Sequence, residues 1–338
     1  MIVSKTAPTH WVGIDVSKKS LDAAIWQSGK KYRHVKLANS ASGIAALLDW
    51  AKKTAGDEAQ IGFCMESTGD YHLDAAMYFT EVGHHVSVVN PARIKYFGLE
   101  NGRLTKTDKA DSKLIAEYAR DRSPAAWPMR DETMRRLLRL SRRRQQLVMM
   151  IGIEDNRREC PQAIGQECLD SIKKLLKTLR AELRQVDAAL ALLIQNDPVL
   201  KEKSDLIRSL RPLGHASVLA ILAEMPPVEE VASASSYAAA AGVQSTSKKS
   251  GENQRESARM SKAGQKIPRQ ILYMPTLTMI RSVPEVKALY DRLRERGRKH
   301  DQAMVACIRK VLMILYGVLR HKTPFKSRLA EESGSIAA

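Results

Sequence analysis

A carboxylate inside an apolar strand needs a charged partner, a metal ion or a turn to cap, because burying an unpaired charge is costly. Asp15 is such a residue, in the run Trp11-Val12-Gly13-Ile14-Asp15-Val16-Ser17. Three more carboxylates occur in comparable settings. Glu66 closes the apolar run Ile61-Gly62-Phe63-Cys64-Met65-Glu66, and Asp108 and Asp111 open a helical pattern. Spaced three apart, Asp108 and Asp111 can share one face of a first turn. Acids also suit a helix N-terminus electrostatically, which explains the pair without any chemistry. A second candidate is Ser261, in Arg259-Met260-Ser261-Lys262-Ala263-Gly264. A serine between cations and a glycine turn could set its hydroxyl against a phosphate. A loop or helix-capping serine has the same composition.

The elements that must position these residues follow from periodicity. Residues 11–17, 21–27 and 32–38 read as three successive strands with polar turns between them. Ile44, Leu47, Leu48 and Ala51 have helical spacing over 41–54, started by Asn39-Ser40. A strand at 61–66, a helix over 71–82 and a strand at 85–89 closed by Asn90-Pro91 come next. Three strands, helix, strand, helix, strand, then helices is the order of a ribonuclease H-like domain, a mixed sheet flanked by helices.

Beyond residue 130 the chain reads as helical, so the fold class is α/β plus all-α. Arg135, Arg136, Arg139, Arg142, Arg143 and Arg144 fall within ten residues, interleaved with leucines. Such a run is a solvated face or a phosphate-binding one. Leu169, Ile172, Leu176, Leu179, Leu183, Val186, Leu190 and Leu193 form a heptad seam. An antiparallel helix pair within the chain would show the same seam, and self-association is the favoured expectation. Arg211-Pro212-Leu213-Gly214-His215 leads into an apolar helix. The shape is a helix-hairpin-helix, whose turn at Gly214 could offer backbone N–H groups to a phosphate. Lys248, Lys249, Arg259 and Lys262 make the stretch 244–265 cationic. The expected divisions are 8–128, 129–200 and 201–325.

The net charge is +18, from 55 Lys+Arg and 37 Asp+Glu. Residues 1–130 hold only +4 of it, so the excess lies in the rest of the chain. This favours an anionic partner, nucleic acid or an acidic membrane surface. No apolar stretch is expected to reach the roughly 20 residues that span a bilayer, and the N-terminus lacks a signal-peptide core. A soluble, cytoplasmic and nucleoid-associated protein is expected. The four cysteines show no Cys-x-x-Cys spacing, so they read as reduced structural thiols.

Taken together, six motifs resemble one family: Gly13-Ile14-Asp15, Glu66-Ser67-Thr68-Gly69, Val89-Asn90-Pro91, Lys106-Thr107-Asp108-Lys109-Ala110-Asp111, Tyr237 through Ala241-Gly242, and Met260-Ser261-Lys262-Ala263-Gly264. They are similar to the insertion-sequence transposases with an N-terminal DEDD domain related to the junction resolvase RuvC and a C-terminal domain with a catalytic serine, a group that includes the pilin-gene invertases. The resemblance covers about residues 10–325. It implies a RuvC-like first domain, a coiled-coil middle and a mostly helical transposase domain. It places the tetrad on Asp15, Glu66, Asp108 and Asp111, binding Mg²⁺ or Mn²⁺, and the nucleophile on Ser261. It implies target and donor DNA, an element-encoded non-coding guide RNA, and a homo-oligomer as partners. One departure is that the family's Pro-Gly-x-Gly hairpin is here Pro212-Leu213-Gly214, with the later glycine only. Two other readings remain at this point. A hydrolytic RuvC-like junction nuclease needs the tetrad but not Ser261, and a non-catalytic nucleic-acid-binding protein needs neither.

Overall fold

The computed structural model describes residues 7–27, 31–56, 59–67, 69–102, 107–159, 165–246, 259–260 and 264–327. They fall into two units, Met1–Met129 and Arg130–Ala338.

The first unit is built on a five-stranded sheet of β1 (His10–Val16), β2 (Ser20–Trp26), β3 (Tyr32–Ala38), β4 (Ile61–Glu66) and β5 (His85–Val89). The order is β3-β2-β1-β4-β5. The first three strands are antiparallel, and β4 and β5 run parallel to β1. This is the ribonuclease H-like order. The expected strands match to within a residue.

Alternation along the strands sorts the two faces. Ile14, Phe63 and Met65 pack on one side with Leu47 of α1 (Ala41–Ala55) and Phe79 of α2 (Leu73–Glu81). Trp11, Cys64 and Val89 pack on the other with Phe97 of α3 (Pro91–Glu100) and Ile115 of α4 (Asp108–Arg122). Cover on both faces explains why β1 and β4 read as almost unbroken apolar runs. Side-chain caps start three of these helices: Ser40 accepts from Gly43 N, Asn90 from Ala92 N, and Thr107 from Ala110 N.

The second unit begins with two long helices, α5 (Glu132–Arg158) and α6 (Gln166–Asn196). The pairs Arg180–Asp155 at 2.9 Å and Arg144–Asp187 at 2.7 Å run in opposite senses along them, so they form an antiparallel hairpin. All eight seam residues of α6 are buried or half-buried in the single chain. Leu176, Leu179 and Leu190 are buried within the single chain and the other five are half-buried, so part of the seam is covered by the chain's own helices.

Leu137, Leu190 and Ile194 share one core with Leu206, Ile221 and Leu312. Residues 129–200 thus share a core with the C-terminal region. That region adds α7 (Pro198–Arg208), α8 (His215–Glu224), α9 (Ala234–Ala240), the short pair β6 (Ser245–Thr246) and β7 (Arg259–Met260), then α10 (Lys266–Ile271), α11 (Tyr273–Ser282), α12 (Pro284–Glu295) and α13 (His300–His321). One expectation needs correcting. α13 is long and apolar enough to cross a membrane. Half of its most apolar window is buried, and Cys307, Val311 and Leu315 are fully so, which makes it the central core helix of this unit.

Candidate functional site

The carboxylate site begins with the end of β1. Ile14 pairs with Met65 in parallel register, so the next residues, Asp15 and Glu66, are neighbours at the strand ends on one face. Both are half-buried. Parallel strands lie about 4.8 Å apart, so the two backbones hold these acids side by side. The third acid comes from α4, and Gly13 decides how close that helix can come. A Cβ at Gly13 would lie 2.2 Å from Ala116 N and 2.4 Å from Ser112 O. Only a residue without a side chain lets α4 cross β1 at this distance. Asp111, half-buried, precedes Ser112, and its N–H donates to Thr107 O at 2.8 Å. The first turn is thereby fixed on the face that carries Asp15 and Glu66. Asp108 opens the same helix, and its side chain lies outside the described residues.

The donors in this set are oxygens alone, which suits a hard divalent cation. Among the described residues, no three His, Cys, Asp or Glu side chains group closely enough to hold an ion, and Asp108 does not enter that comparison. Cys64 lies on the same face, fully buried, and burial with the Glu66 charge pushes its thiol far up. A buried thiol pushed in that direction fits the structural role expected of it.

Sequence reasoning missed Asp22. It faces Asp15 directly across the β1–β2 ladder and is only 4% exposed. Lys36 Nζ sits 3.0 Å from its Oδ2 and His34 Nε2 3.3 Å from its Oδ1. The available signal was symmetry, since Asp15 and Asp22 lie equally far from the turn at Ser17–Ser20.

Ser261, Lys262, Lys248 and Lys249 lie outside the described residues, as does the side chain of Arg259. The described residues on either side of 261–263 are held in place. Met260 pairs with Ser245 in the β6–β7 ladder. On the other side, a Cβ at Gly264 would lie 2.3 Å from Gly242 N and 2.5 Å from Ala240 O. Gln265 N donates to Ala240 O at 2.6 Å, and Gly242 takes a left-handed φ of 69° that favours glycine. Two arginines hold the underlying carbonyls. Arg269 donates to Ala241 O at 3.1 Å, and Arg309 donates to Val243 O at 3.2 Å and Ser235 Oγ at 2.6 Å. The two glycine-containing motifs are therefore one local structure.

The arginine run divides. Arg135 and Arg139 share Glu132 at 3.0 and 2.7 Å. Arg144 pairs with Asp187, and Arg142 with Glu224 at 3.0 Å, where the Glu224 side chain is 1% exposed. Arg136 and Arg143 are exposed and have no acidic partner among the described residues. Four of the six arginines are thus engaged by the fold. The helix–turn–helix at 198–224 has the expected shape. Gly214, however, has φ −75°, and a Cβ there would meet nothing, so its turn does not require glycine.

Comparison with known proteins gives a consistent picture. Residues 12–159 match the DEDD-type IS110 family described as Transposase, and residues 204–291 match the Transposase IS116/IS110/IS902 family. The pilin gene-inverting proteins of Moraxella bovis and Moraxella lacunata are each 25% identical over 322 residues, covering 95% of this chain and 99% of those proteins. An uncharacterized 43.6 kDa protein of insertion element IS110 from Streptomyces coelicolor is 24% identical over 159 residues, 47% of this chain and 38% of that protein. Among solved structures, T. thermophilus RuvC in complex with Holliday junction substrate is 14% identical with a TM-score of 0.26, covering 35% of this chain and 99% of that one.

Proposed function

We propose, for a chain that belongs to the IS110-type DEDD transposases, that it cleaves and rejoins DNA through a serine nucleophile supported by a metal-dependent carboxylate site. The observation that carries the reading is the close approach of α4 to Gly13, which holds the Asp111 turn over the ends of β1 and β4. Asp15, Glu66, Asp108 and Asp111 would hold Mg²⁺ or Mn²⁺, which supplies charge stabilisation for the phosphate oxygens.

Ser261 Oγ attacks the phosphorus of a scissile phosphodiester. An Oγ–P bond forms, the P–O bond to one deoxyribose breaks, and the freed deoxyribose oxygen takes a proton as the serine hydroxyl gives one up. Arg259 and Lys262 face the phosphate charge. The reverse attack by a new deoxyribose hydroxyl restores the diester and frees the serine, so rejoining needs no external energy source. The polyanionic partners are target and donor DNA and an element-encoded non-coding guide RNA, for which the +18 charge provides the electrostatic basis.

The test uses protein purified with any RNA it retains, matching target and donor DNA, and Mg²⁺, with products denatured to reveal protein-linked strands. Loss of the adduct in both Ser261→Ala and Asp15→Ala supports the reading. Nicked DNA that persists unlinked in Ser261→Ala favours a hydrolytic nuclease instead.

A further inference from the structure

The geometry points to a second nucleic-acid contact that is not part of the carboxylate site, the serine segment or the arginine run: a cationic groove on the α5–α6 hairpin that takes the phosphate backbone of a duplex. It rests on the proposed reading only in that the protein acts on nucleic acid. Arg158 of α5 and Lys173, Lys177, Arg180 and Arg184 of α6 line a groove of about 310 Å³ with Leu176 beside them. The four α6 cations are spaced by four, three and four residues, so they form one stripe. At 1.5 Å per residue the stripe is about 16 Å long.

The charge in the groove is only partly neutralised. Asp155 accepts from Arg180 at 2.9 Å and lies 3.3 Å from Arg158, and Asp170 lies 3.2 Å from Lys173. Lys177 and Arg184 are exposed and have no acidic partner among the described residues. Like charges repeated along a helix face repel one another, and an anion lying along the stripe relieves that repulsion. The lining contains no aromatic ring on which an unpaired base could stack and no amide side chain to read a base edge. What it offers is positive charge at regular intervals, which suits a backbone of evenly spaced phosphates. Successive phosphates of one strand lie farther apart along the backbone than their axial rise of about 3.4 Å, so the stripe spans only a few of them.

The test measures binding of the full chain, without cleavage, to a short duplex DNA, a duplex RNA of the same sequence and the matching single strand, over a series of salt concentrations. The variants are Lys177→Gln with Arg184→Gln, and the charge-keeping Lys177→Arg with Arg184→Lys. Each phosphate contact contributes about 0.9 to the slope of log K against log salt, so the neutral pair should lower that slope by about 2 and weaken duplex binding at least roughly tenfold. The charge-keeping pair should bind as the wild type does. Loss on the RNA duplex alone assigns the groove to RNA, and loss on the DNA duplex alone to DNA. Unchanged slopes on both duplexes, or a loss confined to the single strand, overturns the inference. Binding is read without strand joining, so failure of the serine chemistry leaves this result independent.

Discussion

Gly13 and Ala116 meet backbone to backbone: a single added carbon on Gly13 would sit 2.2 Å from the Ala116 nitrogen. Helix α4 can lie on β1 only because one strand residue has no side chain. Asp111, the acid of α4 proposed for the site, lies just over one turn before that contact.

Gly13→Ala is therefore expected to lift α4 and spoil the acid geometry. A displacement of about 1 Å can cost on the order of 100-fold in rate. Metal-dependent strand cleavage should fall by at least that factor, and the melting temperature should drop as well, since overpacking a core costs about 1–3 kcal/mol. Gly214→Ala is the contrast, since nothing lies near its Cβ and its φ is ordinary. It should leave both melting and cleavage close to wild type.

The arginine run should split in the same way under mutation. Arg142→Ala removes the ion-pair partner of the buried Glu224 carboxylate while Arg130 stays near it, and losing a hydrogen bond to a buried charged group costs about 1–3 kcal/mol. Urea unfolding of the second unit should show it. Arg136→Ala and Arg143→Ala, at exposed positions, should change stability by less than about 0.5 kcal/mol. They should instead lower the salt dependence of nucleic-acid binding.

Much of the first unit was legible in the sequence. Apolar runs bounded by polar turns marked all five strands, and the motif acids lie at strand ends or on a first helical turn. Asp22 was legible only through its symmetry with Asp15 about the Ser17–Ser20 turn, because its partners Lys36 and His34 arrive from the next strand and only the register brings them together. The ion pairs within the arginine run were hidden for the same reason. The partners of Arg142 and Arg144 are 82 and 43 residues away, and local charge counting cannot see them. The seam of α6 was correctly periodic, but a heptad pattern does not say whether its partner helix belongs to the same chain.

Gly264→Ala should disturb the serine segment from beneath, since its Cβ would collide with the Gly242 nitrogen and the Ala240 carbonyl. Overpacking of this kind costs about 1–3 kcal/mol. Protein–DNA adduct formation should fall while duplex binding persists. An adduct yield equal to wild type would show that this contact does not position Ser261.

Acid should destabilise the protein through one buried and two half-buried imidazoles. Burial pushes His72, His84 and His215 below their usual value, against the opposing pull of Asp70, the Ile61 carbonyl and Asp187 respectively. The unfolded chain then binds protons at higher pH than the folded one. Stability should rise with pH through the window below about 6.5 and be lost as pH falls through it. Urea midpoints measured from about pH 7 down to pH 5 should decrease. A flat or rising midpoint would contradict this.

The central claim is that Ser261 becomes covalently joined to DNA with the help of the β1–β4–α4 acids. Its most direct measurement is mass spectrometry of peptides from protein treated with Mg²⁺, its retained RNA and matching target and donor DNA. The expected result is a nucleotide-bearing peptide with the modification on Ser261, absent in Asp15→Asn and Glu66→Gln. Strand cleavage that proceeds with Ser261 unmodified would contradict it.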